Sequence, residues 1–308
     1  MSALSLNATP CAICHTVDEA RPLYEANFDL AALNPEVFSA RRLPDRVHYR
    51  MVRCNDCGLV RSDPTADAHL LQGLYAESSF NYDAQVEDLR KTYGRYLALL
   101  QRYGAGKGAL LEIGCGNGFF LHEALSQGYS QVHGVEPSVD AVAKADDRLR
   151  PHLVCDIMRP GLFAPASFDA ICLFQVFDHI ADPGALLKEC HRLLKPGGLL
   201  LFLQHNVEAI SARLLGRLSP IIDIEHTYLY SPATLGRLCG QFDLAPRASG
   251  FVLNTYSISY LLHLLPLPGS VKTSLAKLAE RVLIGRLRLR VPLGNMYLVV
   301  GKAPAEAT

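Results

Sequence analysis

The sequence has no surplus of charge. Lys plus Arg and Asp plus Glu number 30 each, so no global field draws the chain to nucleic acid, and no such partner is expected. No stretch approaches 18 consecutive apolar residues, which argues against a membrane-spanning helix. The opening MSALSLNATPC lacks a basic segment followed by an apolar one, so no secretory leader is expected and the expected compartment is the cytoplasm. Internal repeats and low-complexity tracts are absent too. What remains is a 308-residue chain, 49 % apolar and 19 % charged, enough for one large domain with attachments or two modest ones.

Nine cysteines in a chain expected to stay reduced need a role other than disulfides. Five of them, Cys115, Cys155, Cys172, Cys190 and Cys239, sit among apolar neighbours and are expected as small buried hydrophobes. The other four form two pairs, Cys11-Ala-Ile-Cys14 and Cys54-Asn-Asp-Cys57. Each C-x-x-C turn brings two thiolates within reach of one tetrahedral ion, and four such ligands make a closed structural zinc site. The 39 residues between the pairs exceed the usual spacing, so the ribbon carries an insertion. No thioredoxin-like strand–helix pattern surrounds either pair, which disfavours a redox role. Structural Zn2+ on Cys11, Cys14, Cys54 and Cys57 is therefore expected, within a module over residues 1–65.

Residues 66–107 read as a connector and a helix, since Val86, Leu89, Tyr93, Tyr96, Leu97 and Leu100 recur at helical intervals within 84–103. GAGKG at 104–108 lacks the first glycine and the Ser or Thr of a phosphate loop, so a turn is expected. Beyond it, apolar runs alternate with helical patterns: ALLEIG, a helix at 119–127, QVHGVE, a helix at 138–149, HLVCD, FDAICLFQV, a helix at 183–194 and GGLLLFLQ. Such alternation predicts an α/β fold, a doubly wound parallel sheet covered on both faces.

LLEIGCGNGFFL at 110–121 holds the first strand, the first loop and the start of the first helix of that sheet. Glycines there let backbone N–H groups approach a ligand in the crevice where strand order reverses. Glu136, 22 residues beyond Gly114, is placed to accept both hydroxyls of an adenosine ribose, which suits NAD and S-adenosylmethionine alike. The spacing separates the two. Gly114, Gly116 and Gly118 follow G-x-G-x-G, not the dinucleotide G-x-G-x-x-G, and position 119 is Phe.

LLEIGCGNGFFL, GVEPS, CDI and FDAICLFQVFDHIADPGALLKECHRLLKPGGLLLF resemble, in order, the motifs of class I S-adenosylmethionine-dependent methyltransferases over roughly 108–250. The resemblance implies a Rossmann-like, mostly parallel seven-stranded sheet in residues 108–308, with GNMYLVVGKA as an antiparallel last strand. It implies that Glu112 and the loop Gly114, Cys115, Gly116, Asn117, Gly118 hold the methionine part. Glu136 and Pro137 would hold the ribose, Asp156 and Ile157 would border the adenine, and Phe174 and Gln175 would line the cofactor and substrate side. The Cys57-Gly58-Leu59-Val60…Pro64 stretch, Tyr75, Tyr82, RLLG at 213–216 and EHTYLYSPATL at 225–235 resemble one subgroup. Its members carry an N-terminal cysteine zinc domain and act in sugar, polysaccharide and natural-product pathways. The implied activity is O- or C-methylation of a small-molecule or carrier-linked acceptor, a sugar or lipid-linked intermediate among them. A catalytically inactive cofactor-fold binding protein and an NAD-dependent oxidoreductase are the alternatives.

Methylating a hydroxyl or an activated carbon calls for a base near neutral pKa. His179, after the fourth strand, and His226, beside Glu225, are the expected catalytic residues, with His205 a third candidate. Between YLLHLLPLPG and the last strand, Lys272, Lys277, Arg281, Arg286, Arg288 and Arg290 face one acid, Glu280. A basic helical insertion at 256–291 beside an apolar patch suggests peripheral contact with an anionic membrane surface; the alternative is a helix packed on the sheet with a solvated basic face.

Overall fold

The computed structural model describes residues 6–27, 47–67, 70–71, 73, 76–77, 86–264, 269–281 and 284–303. Tyr75, Tyr82, the first two residues of the predicted 84–103 helix, and the side chains of Glu280 and Arg286 lie outside the described residues.

The strand–helix alternation folds into one seven-stranded sheet. Its strands are β6 (Ala109–Ile113), β7 (Gln131–Val135), β8 (Leu153–Val154), β9 (Phe168–Phe174), β10 (Leu194–His205), β12 (Leu244–Phe251) and β15 (Asn295–Lys302). Their spatial order is β12-β15-β10-β9-β6-β7-β8. β15 runs antiparallel to both of its neighbours, so the other six are parallel, as expected. From β6 the chain winds one way through β7 and β8, then returns to β9 on the other side. That reversal opens a crevice at the carboxyl ends of β6 and β9.

Both faces of the sheet are covered, which is why its strands read as unbroken apolar runs. Leu111, Ile113, Ile171, Leu173, Leu200 and Phe202 pack toward α4 (Pro183–Leu193). Leu110, Ala170, Cys172, Phe174, Leu201 and Leu203 pack toward α1 (Val86–Leu100) and α2 (Phe119–Ser126). Tyr93 of α1 stacks on Phe174 at 4.2 Å between ring centroids and on Phe119 at 5.9 Å, so α1 seals the sheet beside the crevice. GAGKG is a turn, with Gly104 left-handed at the end of a short 3-10 helix and Ala105 N–H donating to the Leu100 carbonyl.

Before the sheet come β1 (Leu6–Asn7), β2 (Ala20–Tyr24), β3 (Met51–Cys54), β4 (Val60–Ser62) and β5 (Thr65–Ala66). β2, β3 and β4 form a meander whose fourth strand, β11 (Tyr228–Leu229), arrives from far along the chain.

Three expectations need correction. The helix expected at 138–149 is the short α3 (Val139–Ala143), capped at Lys144; beyond it Asp146 accepts the Arg148 N–H in a separate turn. Cys155 is exposed, whereas Cys115, Cys172, Cys190 and Cys239 are buried. It follows the two-residue β8, the edge strand of the sheet. The 256–291 insertion is not simply helical. β13 (Asn254–Ser257) and β14 (Arg288–Val291) pair antiparallel, with α7 (Ile258–Leu264) and α8 (Gly269–Arg281) between them. Thr255 pairs with Arg290 and Ser257 with Arg288, so two of the basic residues lie on a strand. α5 (Ile210–Leu215) and α6 (Pro232–Gly240) flank β11.

Candidate active site

The glycine loop leaves β6 through left-handed backbone at Gly114, Gly116 and Gly118, with φ of 74, 56 and 79°. At Gly114 the reason is also steric, since a Cβ would strike the Val176 side chain on the loop after β9. Gly114 and Cys115 N–H groups both donate to the Val135 carbonyl, stitching the loop to the end of β7. Next in the chain, Glu136 accepts from Gly116 N–H and from Ser138 N–H, both at 2.9 Å. Burial raises its pKa against those two bonds. A buried carboxylate fixed by backbone donors keeps its remaining lone pairs for ligand hydroxyls.

Glu136 lines a cavity of about 1520 Å³ together with Gly114, Pro137, Asp156, Ile157, Phe174 and Gln175. The rest of the expected cofactor set sits elsewhere. Glu112 is buried in β6, opposite Gly134 and Cys172, and is not among the lining residues. Cys115, Gly116, Asn117 and Gly118 do not line the cavity either. Cys115 is buried, and burial pushes its thiol well above the ordinary range. Asn117 Oδ1 accepts the Phe119 N–H at the start of α2. Asp156 accepts from Ile157 N–H and from Arg159 Nε, at 2.8 and 2.9 Å.

Gln175 is left-handed, with φ of 58°, and its Oε1 is buried with no hydrogen-bond partner. Asn254 Nδ2, also in a lining residue, is likewise buried and without a partner. Both residues line the cavity, but these two atoms are themselves closed off from it. The group in the cavity that fits a cofactor is the fixed Glu136 carboxylate, an acceptor suited to the paired hydroxyls of an adenosine ribose.

His179, His205 and His226 line the same cavity. Asp178, absent from the expected catalytic set, is fully buried at their centre. Its Oδ2 lies 2.7 Å from His205 Nδ1 and 3.7 Å from His226 Nε2, and its Oδ1 lies 3.6 Å from His179 Nε2. The ring centroids of His179 and His205 stand 4.9 and 4.8 Å from that of His226. Burial alone would push the Asp178 carboxyl up; His179, His205 and His226 outweigh it and hold the group well below the usual carboxylate range. Burial likewise lowers the His226 pKa, against the pull of Asp178. His226 Nδ1 is 2.8 Å from the Ile221 carbonyl, which can only accept, so Nδ1 carries the proton and Nε2 is the basic atom. The ligand atoms of Asp178, His179 and His226 lie within 4.8 Å of one another, close enough to share a cation.

In the meander, all four thiol sulfurs of Cys11, Cys14, Cys54 and Cys57 lie within 4.8 Å of one another, with Cys11 and Cys57 at 3.5 Å. Both turns are tight: His15 N–H donates to the Cys11 carbonyl and Gly58 N–H to that of Cys54. Burial pushes the Cys14 and Cys57 thiols up. Cys54 is brought down to about 7 against burial by the backbone N–H groups of Cys57 and Asp56. Four sulfurs in this closed arrangement suit a tetrahedral soft-ligand cation.

Comparison with known proteins gives the family. The family described as "Methyltransferase domain" matches residues 85–249, more than half of the chain. A ubiquinone biosynthesis O-methyltransferase of Paraburkholderia phytofirmans is 30 % identical over 172 residues, covering 51 % of this chain and 73 % of that protein. One of the same name from Methylococcus capsulatus is 26 % identical over 190 residues, 56 % of this chain and 79 % of that one. A solved S-adenosylmethionine-dependent methyltransferase from Archaeoglobus fulgidus shows 18 % identity and a TM-score of 0.46, over 77 % of this chain and 100 % of that one. The chain therefore belongs to the methyltransferase-domain family. It is a class I S-adenosylmethionine-dependent methyltransferase.

Proposed function

We propose that the chain methylates a hydroxyl group on a small, largely apolar acceptor, with the histidine cluster around Asp178 taking the acceptor's proton. The observation that carries this reading is one cavity lined both by Glu136 and by His179, His205 and His226. Bound there, S-adenosylmethionine supplies an activated methyl group. Glu136 would hold its ribose hydroxyls, Asp156 and Ile157 would border its adenine, and Gln175 would face its polar groups. Glu112 and Gly114 to Gly118 keep a part in shaping the methionine end through the loop's backbone.

The chain's own work is alignment and proton removal. Holding an acceptor oxygen in line is worth about 7–11 kcal/mol in favourable cases. His205 Nδ1 donates to Asp178 in the neutral ring, leaving Nε2 as its basic atom. His226 and His179 stand beside it, with Asp178 placed to stabilise whichever ring becomes charged. Around them Leu215, Ile221, Tyr256, Leu261, Val291 and Leu293 also line the cavity and suit an apolar acceptor body. O-methylation is further favoured by the names of the relatives, which act in ubiquinone biosynthesis.

Structural Zn2+ on Cys11, Cys14, Cys54 and Cys57 in a module over residues 1–65, joined by 66–107 to the domain at 108–308, belongs to the same reading. So does peripheral membrane contact through 256–291. Among the described residues no helix is long and apolar enough to cross a membrane. Val271, Leu278, Leu287 and Leu289 are nevertheless exposed, as are Arg288 and Arg290.

Thermal unfolding with S-adenosylhomocysteine, S-adenosylmethionine and NAD tests the cofactor half. At 100 times its dissociation constant a ligand adds about 2.7 kcal/mol. The sulfur compounds are expected to stabilise the protein, NAD not to, and Glu136→Ala to lose the effect. Labelled methyl transfer to a panel of phenols with and without apolar tails tests the acceptor half. Transfer is expected to fall about 10²–10⁴-fold in His205→Ala, the range of general-base catalysis. Undiminished transfer in His179→Ala, His205→Ala and His226→Ala alike would remove the base assignment.

A further inference from the structure

The cysteine centre and the histidine cluster are joined by a short chain of backbone contacts. β4 follows Cys57 after two residues, and it pairs with β11, Arg61 opposite Tyr228 and Val60 opposite Leu229. Just beyond that pairing, Ser62 N–H donates to the Thr227 carbonyl at 2.9 Å. Ser62 Oγ donates to the His226 carbonyl at 2.8 Å. Thr227 N–H in turn donates to the Asp178 carbonyl at 2.9 Å. The first cysteine turn reaches the same place: Tyr228 hydroxyl donates to the carbonyl of Pro10, next to Cys11, and Gln241 of the turn after α6 donates to that of Ile13.

The packing follows the hydrogen bonds. Cys11, Ile13, Cys54 and Leu59 belong to the same buried cluster as Phe177, Tyr228 and Tyr230, with Phe177 and Tyr230 rings 5.3 Å apart. Phe177 is the residue before Asp178. The same cluster also takes in Ile113 and Val135, just before the glycine loop and Glu136, so packing is common to both ends of the site. The hydrogen bonds are what set the ends apart. Gly114, Cys115 and Glu136 are fixed by β6, β7 and Ser138, with no hydrogen bond to the cysteine turns among those described.

We propose that a metal ion on Cys11, Cys14, Cys54 and Cys57 is a positioning element for the acceptor half of the active site, setting His226 and Asp178 through Ser62 and Thr227. This rests on the reading of the histidine cluster as the acceptor end. Clamping both cysteine turns fixes the start of β4, and β4 holds β11 and, through Ser62, the His226 and Thr227 carbonyls just before it. Loss of the ion frees that strand while the glycine loop and Glu136 keep their own supports. A merely structural ion would instead act on both halves together.

Hydrogen exchange on the full chain separates these outcomes, read by peptide before and after chelation of bound zinc. Zinc analysis of the purified protein is expected to give one equivalent; a protein with none overturns the proposal. Removing the ion is expected to speed exchange at least tenfold in peptides over 177–182 and 224–231. Peptides over 110–136 and the dissociation constant for S-adenosylhomocysteine, by calorimetry, are expected to change less than threefold. The His226 ring resonances in the NMR spectrum are expected to shift or broaden, a signature that general loosening elsewhere does not produce. Unchanged exchange at 224–231, or equal loosening of both halves with loss of S-adenosylhomocysteine binding, overturns the proposal. Where the metal-free chain fails to fold, Ser62→Ala decides. It keeps the four cysteines, and it is expected to retain zinc and S-adenosylhomocysteine affinity while speeding exchange at 224–231; normal exchange there is fatal to the idea. None of these readouts is methyl transfer, so a wrong base assignment and a wrong linkage are told apart.

Discussion

At the scale of the residue, His226 carries the clearest consequence. Its ring is almost wholly buried, and burial lowers its pKa even with Asp178 nearby. The unfolded chain takes up a proton on this histidine near pH 6.5, whereas the folded chain resists it. Stability from this group is therefore present above about pH 6.5 and is lost as pH falls below it. Asp178, held far below the usual carboxylate range, stays ionised in both states through that window and adds no slope. His133 and His191 are also lowered, chiefly by burial, and act in the same sense. Melting temperature is expected to drop between pH 7.5 and 5.5, and His226→Gln is expected to shallow that drop. An unaltered slope in the variant would assign the effect to the other histidines. Asp178 itself shows where reading by residue type falls short. It stands beside His179 in FDHIADP, and that adjacency was the available signal. Only burial among three imidazoles makes it the centre of the cluster.

At the scale of the element, α1 joins the packing to the site. Its apolar stripe was plain from the helical recurrence of Leu89, Tyr93, Leu97 and Leu100, and these same residues are buried against the sheet. Periodicity does not say what a stripe covers. Tyr93 lies under 6.5 Å from the rings of Phe119, Phe120 and Phe174 and also lines the cavity. Tyr93→Ala is expected to cost about 3–5 kcal/mol, the range for removing a buried aromatic ring. Urea midpoints would give the loss, and calorimetry with S-adenosylhomocysteine is expected to show weaker binding. A loss below 1 kcal/mol with normal affinity would make α1 a bystander. The strands of the sheet were legible because burial on both faces leaves continuous apolar runs. The helix predicted at 138–149 stops at Ala143 although the apolar pattern continues, and the Asp146 turn that follows is local hydrogen bonding that periodicity does not register.

At the scale of the whole molecule, the β13–β14 pair and its two helices stand out from the sheet with an exposed apolar and basic surface. Arg288 is tied to Asp88 of α1 at 2.8 Å, so the excursion is anchored to the same helix that seals the cavity. Tyr256 and Val291, on its two strands, line that cavity. A surface that binds anionic lipid would thus adjoin the acceptor end. Flotation with phosphatidylglycerol vesicles at low salt is expected to carry the protein upward, and phosphatidylcholine vesicles or 0.5 M salt are expected to release it, since a Debye length of about 4–5 Å leaves little attraction. Arg290→Glu combined with Leu289→Ser is expected to abolish binding. Absence of binding to anionic vesicles at low salt would leave the excursion as a solvated face and an acceptor-side wall.

The sequence by itself determined the parts written in short-range chemistry. Three glycines where the backbone turns left-handed, a carboxylate at the end of the second strand, alternating apolar runs and two cysteine pairs all act within a few residues of themselves. Tertiary structure alone decided what lies beside what. Asp178, His179, His205 and His226 come together from three separate segments, and the strand just after His226 completes the sheet that holds the second cysteine pair. Such meetings depend on strand order and on the packing of one core, in which residues far apart in the chain satisfy each other's hydrogen bonds, and no local pattern encodes that.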